Sequence, residues 1–185
     1  VIIIALDLSL TGTGIARVNS ESVRAETVKC PKLLGNERLH FILDRCIRAG
    51  VPGADLFVIE GAAYGQQGGQ RGHHERAGLW WLVAHSLWCA NIPYVVVTPS
   101  ARAKYATGRG NAPKAEVMAA AIRRYGHLVE MADDNQCDAV ILGAMAADHY
   151  GQPLAKVPAL NVTALDKVEW PELEGMKNGN LPAVS

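Results

Sequence analysis

No charge of either sign prevails in this chain, in which 18 basic residues face 18 acidic ones among 185. Net charge therefore neither calls for a polyanionic partner nor excludes one; only a local excess can speak to that. Cysteines are few and scattered. Cys30, Cys46, Cys89 and Cys137 show no C-x-x-C spacing, so zinc ribbons and dithiol motifs are set aside. They read as small buried hydrophobes in a reducing compartment. Long apolar runs are missing too. No stretch approaches the roughly 18 residues of a membrane helix, and the opening apolar run is shorter than a signal-peptide core and is broken by Asp7. A soluble, cytoplasmic chain is the expectation. No segment repeats.

What is present is a core. Hydrophobic residues make up 49% of the chain, enough for one domain of ordinary size. "VIIIAL" (1–6) has the composition of a strand buried on both faces. "GIARV" (14–18) and "VRAETVKC" (23–30), separated by "NSES", read as an antiparallel meander following it. Helical spacing of Leu39, Ile42, Leu43, Cys46 and Ile47 predicts a helix over 36–50 with Asn36 as N-cap. "DLFVIEGA" (55–62) and "IPYVVVT" (92–98) are further buried strands. Between them, "QQGGQRGHH" (66–74) reads as a flexible loop and 77–90 as a helix apolar nearly all round. A short helix or turn precedes the loop "TGRGNAP" (107–113), and helices follow at 114–126 and 133–151. The expected fold is α/β: a mixed five-stranded sheet, antiparallel meander plus parallel strands, with helices on both faces. Pro153, Pro158, Pro171 and Pro182 punctuate the remainder. Residues 1–150 are thus expected to be the folded domain, and 151–185 a tail, extended or partly disordered, that wraps the domain or stays mobile.

Two of the buried strands end on an acid, Asp7 and Glu60. Adjacent strands lie about 4.8 Å apart, so neighbouring strands would bring these carboxylates within a few ångströms. Asp138 opens an apolar helical face, with Asp134 one turn earlier on the same side. Two carboxylates about 4 Å apart repel by roughly 4 kcal/mol at an effective dielectric near 20. Such a cluster persists when a cation sits in it, and all-oxygen ligands select Mg²⁺ or Mn²⁺. Two ions would clamp the attacking and leaving oxygens of a phosphoryl transfer. A helix-capping role is the alternative for Asp134.

These acids, in this order, resemble those of the RNase H-like nucleases, and within them the RuvC-type Holliday junction resolvases. "ALDLSLTGTGIA" looks like the family's first motif, and "LFVIEGA" its strand ending in Glu. "KYATGRGNAPKAEV" looks like the core of its long central segment, and "CDAVILGAMAADH" its terminal helix. The resemblance covers about residues 1–150 and is nearest to the compact forms carried by phages, which would place the chain in a host cytoplasm. It implies an RNase H-like fold and a homodimer that nicks four-way DNA junctions symmetrically with two Mg²⁺ (or Mn²⁺) ions per site. It also implies a catalytic, metal-binding set of Asp7, Glu60, Asp138 and a fourth residue. The family usually places that fourth ligand three residues before the last Asp, where Asn135 stands; Asp134 is the expected ligand, with Asn135 and Asp133 as alternatives. The family often has an aromatic three residues after the Glu. Here Ala63 holds that place and Tyr64 follows, so Tyr64 is the candidate to meet the junction centre.

From Arg102 to Arg124 six basic residues stand against Glu116 alone. Glycines flanking "TGRGNAP" let backbone approach a phosphate, which makes Lys104, Arg109 and Lys114 candidate DNA contacts. Arg71, Arg76, His73 and His74 could join them from the Gly/Gln-rich loop, whereas His149 reads as a helix-end residue. Trp80, Trp81 and Trp88 lie on a helix with little polar face, one side of which fits the sheet and the other the same helix of a second subunit. Competing readings are a less selective flap or fork nuclease and a non-catalytic junction-binding protein. An actin-like ATPase, suggested by "DLSLTGTG", lacks room for its second domain.

Overall fold

The computed structural model describes residues 1–50, 53–61 and 70–173, with backbone alone at 70 and 71. Tyr64 with the rest of 62–69, the arginine side chain at 71 and the stretch 174–185 lie outside the described residues. Strand β1 (Ile3–Asp7) lies at the centre of a sheet ordered β3-β2-β1-β4-β5. Strands β2 (Gly12–Val18) and β3 (Val23–Lys29) run as an antiparallel meander beside it. Strands β4 (Leu56–Glu60) and β5 (Tyr94–Val97) are parallel to β1 and to each other. Helices α1 (Gly35–Gly50) and α2 (Gln70–Cys89) make those crossovers.

Strand β1 is apolar up to its last residue, Asp7, because both of its faces are covered. Ile4 and Leu6 pack with Phe57, Ile59, Ile42 of α1 and Leu79, Val83 and Leu87 of α2. Ile3 and Ala5 face the other way, toward Val58 and the helices α3 (Pro99–Thr107), α4 (Lys114–Tyr125) and α5 (Asp134–His149). Each aliphatic side chain buried this way contributes about 1.5–3 kcal/mol. Helix α5 is buried along almost its whole length, and Gly143 is what lets it lie so close: a Cβ there would come 2.7 Å from Val18 Cγ2.

Some expectations need correction. Helix α1 begins at Gly35, so Asn36 lies inside its first turn and is not the cap. Helix α2 starts at Gln70, so residues 70–74 are helical and not loop. Its first two turns are polar and show no apolar period, yet Gln, Arg, His and Glu tolerate helix well and one Gly costs only about 1 kcal/mol. Cys89 is exposed, not buried, while Cys46 and Cys137 are buried; burial pushes the Cys46 thiol up to about 12. Beyond α5, helix α6 (Ala159–Val162) and a 3-10 turn (Leu165–Lys167) bring Ala164, Leu165 and Leu173 into the same core as α5. Tyr150 donates its hydroxyl proton to the Pro171 carbonyl at 2.6 Å, and His149 stacks on Trp170. His149 is the last residue of α5.

Candidate active site

The parallel register sets Leu6 opposite Ile59, so Asp7 and Glu60 leave the sheet side by side at the same end. A turn locks the chain just past Asp7. The buried Thr13 hydroxyl donates to the Ser9 carbonyl at 2.8 Å and accepts from the Ser9 amide at 3.2 Å. The third acid arrives through Gly14, which pairs with Asp7 across the sheet. A Cβ at Gly14 would lie 2.1 Å from the Asn135 carbonyl oxygen, so only glycine admits the first turn of α5 here. Asp133 caps that turn, accepting from the Gln136 amide at 3.0 Å and from the Thr27 hydroxyl at 2.7 Å. Asp138 follows in the next turn, buried beside the strand-end acids. Glu60 is braced from below, where the Trp80 indole donates to its backbone carbonyl at 3.2 Å.

Crowding shows in the electrostatics. Burial, then the charge of Glu60 and a side-chain hydrogen bond with it, then Asp138, push the Asp7 carboxyl up to about 8. Burial pushes Asp138 up to about 6; Arg102 opposes that rise and Glu60 adds to it.

Arg102 is the cation of the cluster. Strand β5 ends beside β4, and Thr98 caps α3 by accepting from the Ala101 amide at 3.2 Å. Arg102, one turn in, therefore faces the acids. Its Nε donates to Glu60 Oε1 at 2.5 Å and its Nη1 pairs with Asp138 Oδ1. Burial works against its charge, yet Glu60 and Asp138 hold its pKa above the ordinary value.

These groups line an open cleft of about 830 Å³, walled also by Asn135, Lys114, His73 and Arg76. Asp134 lies outside that lining; it pairs with Lys114, whose hydrogen bond holds its carboxyl below the usual range. The basic run is largely engaged. Arg109 pairs with Glu116 at 2.5 Å, and Arg124 donates to the Tyr105 and Ala106 carbonyls near the end of α3. Lys104 makes no ion pair among the described residues. The sequence pattern offered no direct sign of the Arg102 pairing or of the Trp80 brace. The one available signal was "VVVTPSAR" (95–102), a strand running into a Thr-Pro helix start with an arginine one turn later.

Among the described residues no three or more acidic, His or Cys side chains stand ready to enclose a metal ion. The donor chemistry nonetheless suits a hard divalent cation: three carboxylates converge, and burial together with the charge of Glu60 raises both Asp7 and Asp138, a conflict such an ion resolves. Arg102 bridges two of the three.

No protein family and no curated protein matches the chain by sequence. Solved structures do match in fold. The Thermus thermophilus RuvC bound to a Holliday junction aligns over 85% of this chain and 99% of its own, at 17% identity and a TM-score of 0.62. A second Thermus thermophilus RuvC structure aligns over 85% and 100%, at 19% identity and 0.61. The fowlpox virus Holliday junction resolvase aligns over 80% and 98%, at 12% identity and 0.54. The RNase H-like fold of the RuvC-type resolvases is thereby shown for this chain.

Proposed function

We propose that this chain, folded as the RuvC-type resolvases are, is a divalent-metal-dependent endonuclease that nicks four-way DNA junctions symmetrically as a homodimer in the cytoplasm. The observation that carries the reading is the convergence of Asp7, Glu60 and Asp138, from β1, β4 and α5, in one open cleft. Those three would hold two Mg²⁺ or Mn²⁺ ions, with Asp134 completing the set from one turn earlier on α5. The ions, when bound, supply the positive charge that steadies the attacking and leaving oxygens of the phosphodiester.

The protein's own groups do the rest. Gly14 and the Ser9–Thr13 turn hold the acids in register, and Trp80 fixes Glu60. Lys114 at the cleft wall, with Arg109 and Lys104 nearby in sequence, presents charge to the DNA backbone. The Arg109–Glu116 and Lys114–Asp134 pairs are exposed on the cationic side. Exposed pairs are worth only about 0–1 kcal/mol, so a phosphate can take over either cation at small cost. Tyr64 and Arg71 are proposed to meet the junction from the segment around the start of α2. No helix among the described residues is long and apolar enough to cross a membrane.

The test is cleavage of a labelled four-way junction, a flap and a linear duplex in Mg²⁺, Mn²⁺ or EDTA. Paired nicks on the junction, dependent on metal, support the reading. Equal cutting of flap and junction would make it a less selective branched-DNA nuclease. Binding without cleavage in either metal would leave a junction-binding protein.

A further inference from the structure

Arg102 occupies an unexpected position for a basic residue beside a nucleic-acid cleft. It does not reach outward; its side chain is 12% exposed and is turned into the acids. Two of its nitrogens take one oxygen each from Glu60 and Asp138, carboxylates carried by different elements. The guanidinium thus spans the gap between β4 and α5, where a bridging cation would bind. An arginine is charged at any working pH, so it cannot vacate the site by losing a proton. A divalent ion would draw on the same two carboxylates. Arg102 takes one oxygen of each, and its positive charge, held between them, repels a second cation brought to the same pair.

We infer that Arg102 is an internal counter-ion that holds Glu60 and Asp138 together and is displaced when a divalent cation loads. The inference rests on the metal-dependent reading of the site. Its consequence is a trade: the arginine keeps the cluster from flying apart, and each ion must compete with it, which weakens metal affinity. Metal and guanidinium are then linked occupants, each lowering the affinity of the site for the other.

Two measurements test this without DNA. In the first, Mn²⁺ binding is followed by calorimetry for the wild type, Arg102→Ala and Arg102→Gln. The variants should bind Mn²⁺ at least about tenfold more tightly, the size of change an ordinary coupling between sites produces. They should also melt lower than wild type in EDTA and recover most of that loss at saturating Mn²⁺. Equal or weaker Mn²⁺ affinity in the folded variants would overturn the proposal. In the second, which needs only the wild type, Mg²⁺ is titrated while the Arg102 Nε–H resonance and its hydrogen exchange are followed. Protection of that proton should collapse as the ion binds. Ion binding with the proton still protected would overturn the proposal while leaving the metal site standing. Failure of every form of the protein to bind Mg²⁺ or Mn²⁺ would sink the metal-dependent reading itself.

Discussion

Asp7 is a carboxyl pressed by the sheet against two others, and its behaviour can be read from that. Asp7→Asn keeps the side chain's size and removes a carboxyl that would ligate the metal once ionised. Cleavage should be lost, and junction binding should stay intact or strengthen; normal turnover by the purified variant would remove Asp7 from the metal site. The same carboxyl sets a pH dependence. It titrates near 3.8 when unperturbed and near 8 in the fold. Between those values the unfolded chain releases the proton while the folded one keeps it bound. Asp7's contribution to the stability of the metal-free protein is therefore whole below about pH 4 and is lost as pH rises toward about 8. Asp138, raised to about 6, adds to the lower part of that slope. In EDTA the melting temperature of wild type relative to Asp7→Asn should decline across pH 5 to 8, so that the variant is the more stable form at pH 8. A difference that does not change with pH would mean that burial and the neighbouring acids do not hold the Asp7 proton.

Helix α5 carries the third acid and depends on two glycines for its seat. Gly14→Ala puts a Cβ into the Asn135 backbone, which must then move away from β2. Overpacking of this kind costs about 1–3 kcal/mol, and it should also shift Asp138 away from Asp7 and depress cleavage. Gly12→Ala is the control, since its Cβ would meet Asn135 Nδ2 and Thr27 at an ordinary 3.4 Å. If chemical denaturation ranks the two variants equal, the close approach of α5 is not what Gly14 provides. The start of the same helix separates the neighbouring acids. Asn is as good an N-cap as Asp, so Asp133→Asn should leave cleavage near wild type. Asp134→Asn removes a carboxylate and releases Lys114; cleavage should fall strongly, with partial rescue by Mn²⁺. The reverse ranking in a junction-cleavage assay would take the fourth acid away from position 134. Much of this was legible in the sequence, because a buried strand ending on Asp or Glu is rare enough to mean something. The glycine seat, the Arg102 bridge and the Trp80 brace were not. Each depends on which strand lies beside which and on how closely a helix docks, and neither leaves a local periodicity.

In the proposed function the whole molecule meets DNA on one side and, as a dimer, a second copy on another. On the DNA side, replacing Lys104, Arg109 and Lys114 by Ala should weaken binding to all branched DNA. For every phosphate left unneutralised, the slope of log K against log[salt] should shrink by about 0.9; an unchanged slope would place the DNA elsewhere. The dimer side is the outer face of α2. Leu79, Val83 and Leu87 recur at helical spacing and are buried against the sheet. Trp80, half-buried, packs on that inner face and donates its indole N–H to the Glu60 carbonyl. Trp81 and Trp88, two turns apart, point outward at 65% and 68% exposure, with Leu82 beside them. Single exposed apolar residues are ordinary, but two indoles in register on one helix are the kind of large apolar anchors that interface centres use. Pairing α2 with its copy about a two-fold axis would set both clefts in a fixed relation, as opposed strands of a junction require. The wild type should therefore sediment as a dimer, and Trp81→Glu with Trp88→Glu should give a folded monomer with an unchanged far-UV spectrum. On a supercoiled plasmid extruding a cruciform, two coupled sites cut both strands within one binding event and yield linear DNA. The monomeric variant should yield nicked circles instead. A wild-type chain that sediments as a monomer and only nicks that plasmid would remove the dimer, while the three-acid cleft would stand unaltered.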